Sequence, residues 1–176
     1  MATIRRYRKG DEPGIQSAIK EVYDEYGFLW DPEGYHKDIY SMEEHFRPPH
    51  AFWVAENAVG VIVATGGVEI FPPIPGPVGE LVQCGKNLRV GGADCELVRL
   101  YVRPSAREGG IGTQLCEAII EYAKSEKCRL MEIWSDTQFS AAHRLYKRLG
   151  AHVLGMRSCT YPEEYDEFGM SLNLES

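Results

Sequence analysis

Glu96-Leu97-Val98-Arg99-Leu100-Tyr101-Val102-Arg103-Pro104-Ser105-Ala106-Arg107-Glu108-Gly109-Gly110-Ile111-Gly112-Thr113-Gln114-Leu115 is the stretch that decides the fold. Its first part is rich in Leu, Val and Tyr and closes at Pro104, which has no N–H for a ladder, so it reads as a strand with a sharp end. Beyond it, Ile111, Leu115, Ala118, Ile119 and Tyr122 recur at three- and four-residue spacing and predict a helix. Between them lies a Gly-rich turn carrying Arg107. The first N–H groups of a helix have no carbonyl partner and sit at the positive end of its dipole, so such a loop is an anion site, most naturally for phosphate. Glycines let a ligand approach the backbone with no Cβ in the way.

Three phosphate-binding patterns compete. A Walker loop requires Lys and then Ser or Thr after its last Gly, and here Gly112 is followed by Thr113-Gln114. A dinucleotide fingerprint requires a third Gly where this chain has Leu115; Glu132 does stand about twenty residues on, but too few strand–helix units follow for a dinucleotide domain. The third pattern, Arg-x-x-Gly-x-Gly, is filled as written by Arg107, Gly110 and Gly112. With the preceding Leu100-Tyr101-Val102-Arg103-Pro104 it resembles the signature of the GCN5-related N-acetyltransferases.

Outward from this centre, Thr3–Tyr7 reads as a first strand, and Asp11-Glu12-Pro13 opens a helix with apolar face Ile15, Ala18, Ile19, Val22, Tyr23 and Tyr26, ended by Gly27. A second helix is expected from Pro32 to about Phe46. The segments 51–56 and 60–70 read as strands joined at a short Asn57-Ala58 turn. Residues 71–92, rich in Pro and Gly, read as a long loop with a short strand near Leu81–Cys84, more surface decoration than active-site cover. Then come a strand at 129–134, a helix capped at Thr137 with Ala142, Leu145, Tyr146 and Leu149 on its apolar face, its terminal Gly150, and strands near 152–160 and 167–174. The sum is one α/β (α+β mixed-sheet) domain over residues 1–176. The family order is the same. The resemblance implies the acyl-CoA N-acyltransferase fold, with about seven strands and about four helices; 71–93 is longer than the usual family connection.

Composition narrows the function. The hydrophobic and charged fractions, 44% and 26%, are those of a globular protein, and no apolar run is long enough for a bilayer, so no membrane partner is expected. Met1–Lys9 is polar and basic, so no export is expected and the cytoplasm is the expected location. The five cysteines (Cys84, Cys95, Cys116, Cys128, Cys159) form no C-x-x-C pair, which argues for free thiols and no metal. A net charge of −7 disfavours nucleic acid and mildly favours a cationic acceptor.

The resemblance implies a cosubstrate and roles. Acetyl-CoA would be held through its pyrophosphate by the loop Arg107, Glu108, Gly109, Gly110, Ile111, Gly112 and Thr113, and through its pantetheine arm by the backbone of Leu100, Tyr101 and Val102, where a strand bulge turns an N–H toward the thioester oxygen. Ala142–Ala151 resembles the family segment ending in Tyr-x-x-x-Gly-Phe, which makes Tyr146 the general acid for the leaving thiolate; an amphipathic core tyrosine would look the same. Seven residues earlier the family often has a cofactor-contacting Asn, and this chain has Phe139. Glu96 occupies the strand-head position of the family's base, where a solvated Glu is equally compatible. His36 is a second base candidate, because imidazole titrates near neutrality and the family's early helices line the acceptor pocket. Trp30, Tyr35 and His36 are the candidate acceptor-binding residues, with core packing as the other account of the aromatics. The expected partner is a primary amine on a small molecule or peptide; family members are often homodimers. A coenzyme-A sensor without transfer, or a dinucleotide-binding protein, are the competing functions.

Overall fold

The computed structural model describes residues 1–175. In chain order the elements are β1 (Thr3–Arg6), α1 (Glu12–Tyr26), a 3₁₀ turn at Lys37–Tyr40, α2 (Met42–His45), β2 (Ala51–Glu56), β3 (Ile62–Ile70), β4 (Leu81–Cys84), β5 (Asn87–Val90), β6 (Cys95–Val102), a 3₁₀ turn at Pro104–Ala106, α3 (Ile111–Ser125), β7 (Leu130–Asp136), α4 (Ser140–Arg148), β8 (His152–Cys159) and β9 (Tyr165–Asn173). Seven strands make a mixed sheet in the order β1-β2-β3-β6-β7-β9-β8, with β4 and β5 as a separate hairpin. The β6–β7 pair is parallel and β7–β9 and β9–β8 are antiparallel. This is the expected mixed α/β fold. The chain forms two compact units, one of Met1–Val68 and Arg99–Ile119, the other of Glu69–Val98 and residues 120–175.

The first unit is built on α1. Its Ile15, Ala18, Ile19, Val22 and Tyr23 are buried, as their spacing predicts. Each large apolar side chain removed from water contributes about 1.5–3 kcal/mol. Gly27 ends the helix at φ 70. Asp11, the expected cap, makes no side-chain cap bond. Its carboxylate is engaged by the Arg5 guanidinium at 2.7 and 2.9 Å and by the Arg8 N–H at 2.9 Å. The expected Asn57-Ala58 turn is a five-residue connection, because the Asn57 side chain accepts the N–H groups of both Val59 and Val61. The single helix expected over 32–46 is instead a chain of turns, the 3₁₀ segment and the four-residue α2. The cause lies outside the segment. Arg99 Nη2 takes the Tyr35 carbonyl at 2.7 Å, the acceptor an α-helix would give to Ile39, and Ile39 N–H bonds His36 O instead. In α3 the buried stripe includes Leu115, Cys116 and Ile119, which adds Cys116 to the expected apolar face.

In the second unit the 71–93 segment corrects the reading of a decorative loop. It carries the β4–β5 hairpin, and Val90 and Ala93 are fully buried with Leu130 and Trp134, against which Ile74, Leu81, Leu88 and Leu154 pack. The next helix begins at Ser140 rather than at a Thr137 cap. Thr137 N–H is bonded to Asp166 O at 3.0 Å, and Asp136 Oδ1 takes the Gln138 N–H at 2.8 Å, so the chain is still turning there. His143, expected off the apolar face, is buried, with Nε2 3.1 Å from Ser135 Oγ and its ring edge-on to Phe168. Among the described residues no helix is long and apolar enough to cross a membrane.

Gly169 on β9 is one position in the second unit with no room for a side chain. A Cβ there would stand 2.6 Å from two atoms of the Trp134 ring. Gly169→Ala is therefore expected to lower stability by about 1–3 kcal/mol, read as a fall in the urea midpoint at unchanged m-value. An unchanged midpoint would mean that Trp134 has room to move.

Candidate active site

The Gly-rich turn has the expected form. It is exposed, Glu108 and Gly110 take φ 69 and 75, and α3 starts at Ile111. A Cβ on Gly110 would meet nothing within 4 Å, so the turn faces open space. The first-turn N–H groups of α3 point out of it without intrahelical acceptors. Arg107 is placed differently from a free phosphate ligand. Nη1 and Nη2 fork onto Glu25 of α1 at 2.7 and 2.6 Å, and Nε reaches Val102 O at 3.1 Å. Its charge is matched by Glu25, and the pair ties the turn to α1 and to the end of β6. Arg103, half-buried and bonded to Glu21 and Ser17, makes a second such tie.

β6 enters this turn through an irregularity. Arg99 has φ 54, a left-handed conformation costly for a residue with a Cβ. Thr65 Oγ1 donates to the Arg99 carbonyl at 2.8 Å, and the Arg99 side chain donates to both Asp38 oxygens at 2.8 and 2.7 Å. The β6–β7 ladder covers Cys95–Leu97, before this point. Leu100, Tyr101 and Val102, beyond it, are half-buried.

The candidate acceptor residues Trp30, Tyr35 and His36 come together. Trp30 stacks on His36 at 4.0 Å, and Tyr23 and Tyr35 meet the same imidazole edge-on at 4.5 and 5.1 Å. Tyr23 also bonds Tyr101 through their hydroxyls at 3.3 Å, and the Arg99 guanidinium lies over Tyr35 at 5.0 Å. Asp31 shapes the turn by accepting the N–H groups of Gly34 and Tyr35. His36 is fully buried, Nε2 has no hydrogen-bond partner, and burial first, then Arg99, pushes its pKa down to about 4. At neutral pH it is an uncharged imidazole and a weak base. Tyr23 and Arg99 escaped the sequence reading as site residues. Arg99 had one signal, a cation inside an otherwise apolar strand.

In the second unit, Glu96 lies in a carboxylate cluster. Its side chain keeps 21% exposure. Burial first, then Glu132, then Glu69 push its pKa up to about 8, while Arg89 and Arg157 pull it down. Glu132, fully buried, accepts Arg89 Nε at 2.6 Å, Val90 N–H at 2.9 Å and Trp134 Nε1 at 3.1 Å. Glu132 is thus fully occupied and unavailable to a ribose, and β6–β7 is a parallel pair without the further units of a dinucleotide fold. Tyr146 is 4% exposed on α4, and its carbonyl accepts the N–H of Ala151 in the turn after Gly150. Asp94 and its neighbour Cys95 meet the distant Cys128, with donor atoms within 4.8 Å of one another. Asp94 spends its carboxylate on the Arg129 and Leu130 N–H groups, and burial pushes both thiols up, so the cluster reads as the cap of β7.

The acetyltransferase (GNAT) family model matches residues 15–151, and the chain belongs to that family. It is 27% identical over 162 residues to the uncharacterized N-acetyltransferase YjgM of Escherichia coli strain K12, covering 89% of this chain and 86% of that one. It is 24% identical to the L-methionine sulfoximine/L-methionine sulfone acetyltransferase of Pseudomonas paraeruginosa, over 98% of this chain and 91% of its relative. Among solved structures, yncA of Salmonella typhimurium, a putative acetyltransferase with its cofactor acetyl-CoA, superposes with a TM-score of 0.70 at 18% identity, over 100% of this chain and 95% of that one. This last likeness establishes the fold.

His36 gives the site a pH signature. A histidine whose folded pKa lies below its unfolded value binds fewer protons in the native state. Its contribution is full above the unfolded value and drains as pH falls through the window from 6.5 to about 4, a span worth about 3 kcal/mol. Between about pH 7.5 and about pH 4.5 the wild type is expected to lose about 2–3 kcal/mol more than His36→Phe, measured by urea denaturation at each pH. Equal losses would show that His36 is not buried as the uncharged form.

Proposed function

We propose that the chain transfers the acetyl group of acetyl-CoA to a primary amine by direct attack. The observation that carries the reading is the exposed, Gly-lined Arg107–Thr113 turn at the start of a long helix, a geometry suited to an anion, in a chain of the acetyltransferase family. The YjgM relative is named an N-acetyltransferase, and the structural neighbour holds acetyl-CoA, which supports the cosubstrate and the amine. The Pseudomonas relative is named for amino-acid-sized acceptors, which supports a small molecule.

The α3 N–H groups and Gly110 receive the diphosphate, and Arg107, matched by Glu25, holds the turn in shape. The backbone of Leu100, Tyr101 and Val102, past the kink at Arg99, receives the pantetheine arm as an added strand would. Trp30 and Tyr35 line the acceptor side, held by their packing on the buried His36. Glu96 takes the proton from the ammonium, directly or through water, and leaves a neutral amine whose lone pair attacks the thioester carbonyl. The new C–N bond forms, the C–S bond breaks, Tyr146 gives the thiolate its proton, and the proton shed by the acylated nitrogen returns to the Tyr146 phenolate. Glu96 suits the base because a carboxyl at about 8 has a proton affinity close to the working range.

Calorimetric titration is expected to show one-to-one binding of acetyl-CoA and none of NAD, with Gly110→Trp weakening it at least about tenfold. Binding of NAD alone would withdraw the reading. In steady-state kinetics, kcat/KM is expected to rise as pH passes through about 8, where Glu96 ionises. Glu96→Gln should abolish that rise, and Tyr146→Phe should cut kcat about 100-fold with little change in acetyl-CoA binding. A superimposable Glu96→Gln profile removes Glu96 from the base role, and an unchanged kcat removes Tyr146 from the acid role.

A further inference from the structure

The 71–93 segment, longer than the family's usual connection, delivers one charged group into the second unit. Arg89 of β5 lies over the Phe71 ring at 5.0 Å, and two of its nitrogens, Nε and Nη2, contact Glu132 Oε1. The same Nη2 stands 4.0 Å from Glu96 Oε2. Glu132 is in turn fixed by the Val90 N–H, from the residue next to Arg89, and by Trp134. The guanidinium therefore has one position, set by a buried carboxylate and an aromatic face, and an edge left over for Glu96. The charged groups around Glu96 are Glu132 on β7, Glu69 on β3, Arg157 on β8 and Arg89 itself. Arg157 is committed elsewhere, to Glu167 at 2.8 Å, to Leu88 O at 2.9 Å and to the Trp134 ring at 3.8 Å.

We propose that Arg89 is a positioning residue for acyl transfer: clamped by Glu132, it brings a fixed positive charge to Glu96 that favours the ionised carboxylate against the repulsion of Glu132 and Glu69. This rests on Glu96 being the base. The β4–β5 hairpin is then the device that makes a carboxylate usable in a cluster of three acids. Without it, burial and two like charges would act on Glu96 with less positive charge to oppose them. Lysine at 89 would supply the charge but not the fork, which the planar guanidinium alone provides.

The test follows the Glu96 carboxyl directly. Protein labelled with ¹³C at the glutamate carboxyl is titrated by NMR, and the Glu96 resonance is assigned by its absence in Glu96→Gln. Arg89→Met is expected to raise the Glu96 midpoint by about one pH unit or more, and Arg89→Lys by less. Arg89→Gln, which keeps a hydrogen bond to Glu132 without the charge, carries the same expectation if Arg89→Met does not fold. A midpoint unmoved in whichever folded uncharged variant is measured overturns the proposal. The pH–rate profiles of the same proteins separate the two ideas. If the carboxyl midpoint moves and the rate profile does not, Arg89 tunes Glu96 but Glu96 is not the base. If Glu96→Gln abolishes the rate rise and the uncharged variants leave both the rise and the carboxyl where they were, the base stands and the role of Arg89 falls.

Discussion

The first unit depends on Arg99. A residue with a side chain held at φ 54 inside a strand costs on the order of 1–3 kcal/mol, and it persists only where its surroundings over-determine it. Here they do so from both ends. Thr65 bonds its carbonyl, and Asp38 and Tyr35 O bind its guanidinium. A buried arginine with a matched carboxylate is stable; with the carboxylate removed it becomes an unpaired charge. The same bonds that fix the kink also take the Tyr35 carbonyl out of the helix the local pattern favours. One guanidinium thus sets the path of β6, the 3₁₀ turn at Lys37–Tyr40 and the aromatic group around His36.

The second unit has its own electrostatic centre. Glu132, with no exposure, draws three kinds of donor: a guanidinium, a backbone N–H and an indole. Such a network satisfies the buried charge, and its leftover positive edge reaches Glu96. The contrast between Glu132 and Glu96 follows from partners rather than residue type. One is surrounded by donors. The other is half-buried beside like charges, and its proton affinity rises.

The turn from Arg107 to Thr113 works by backbone geometry. Its cation is matched by Glu25, so the positive character left at the turn is that of the first N–H groups of α3 and the helix dipole. Membership of the acetyltransferase family supplies the chemical class, while a shared fold does not by itself choose an acceptor.

The sequence by itself determined what is local. The strand, Gly-rich turn and helix from Glu96 to Leu115, the apolar face of α1 and the glycine stops at Gly27 and Gly150 were legible because each is written in side-chain period or backbone freedom within a few residues. Tertiary structure decided whatever depends on a partner far along the chain. The helix expected over 32–46 is broken by Arg99, more than fifty residues away by number. The segment read as decoration turned out to insert Arg89 beside Glu132. His143 looked like a flank residue until Ser135 and Phe168 gave it a buried place. Charge state follows the same division, since Glu96 and His36 take their proton affinities from burial and from neighbours that only the fold brings together.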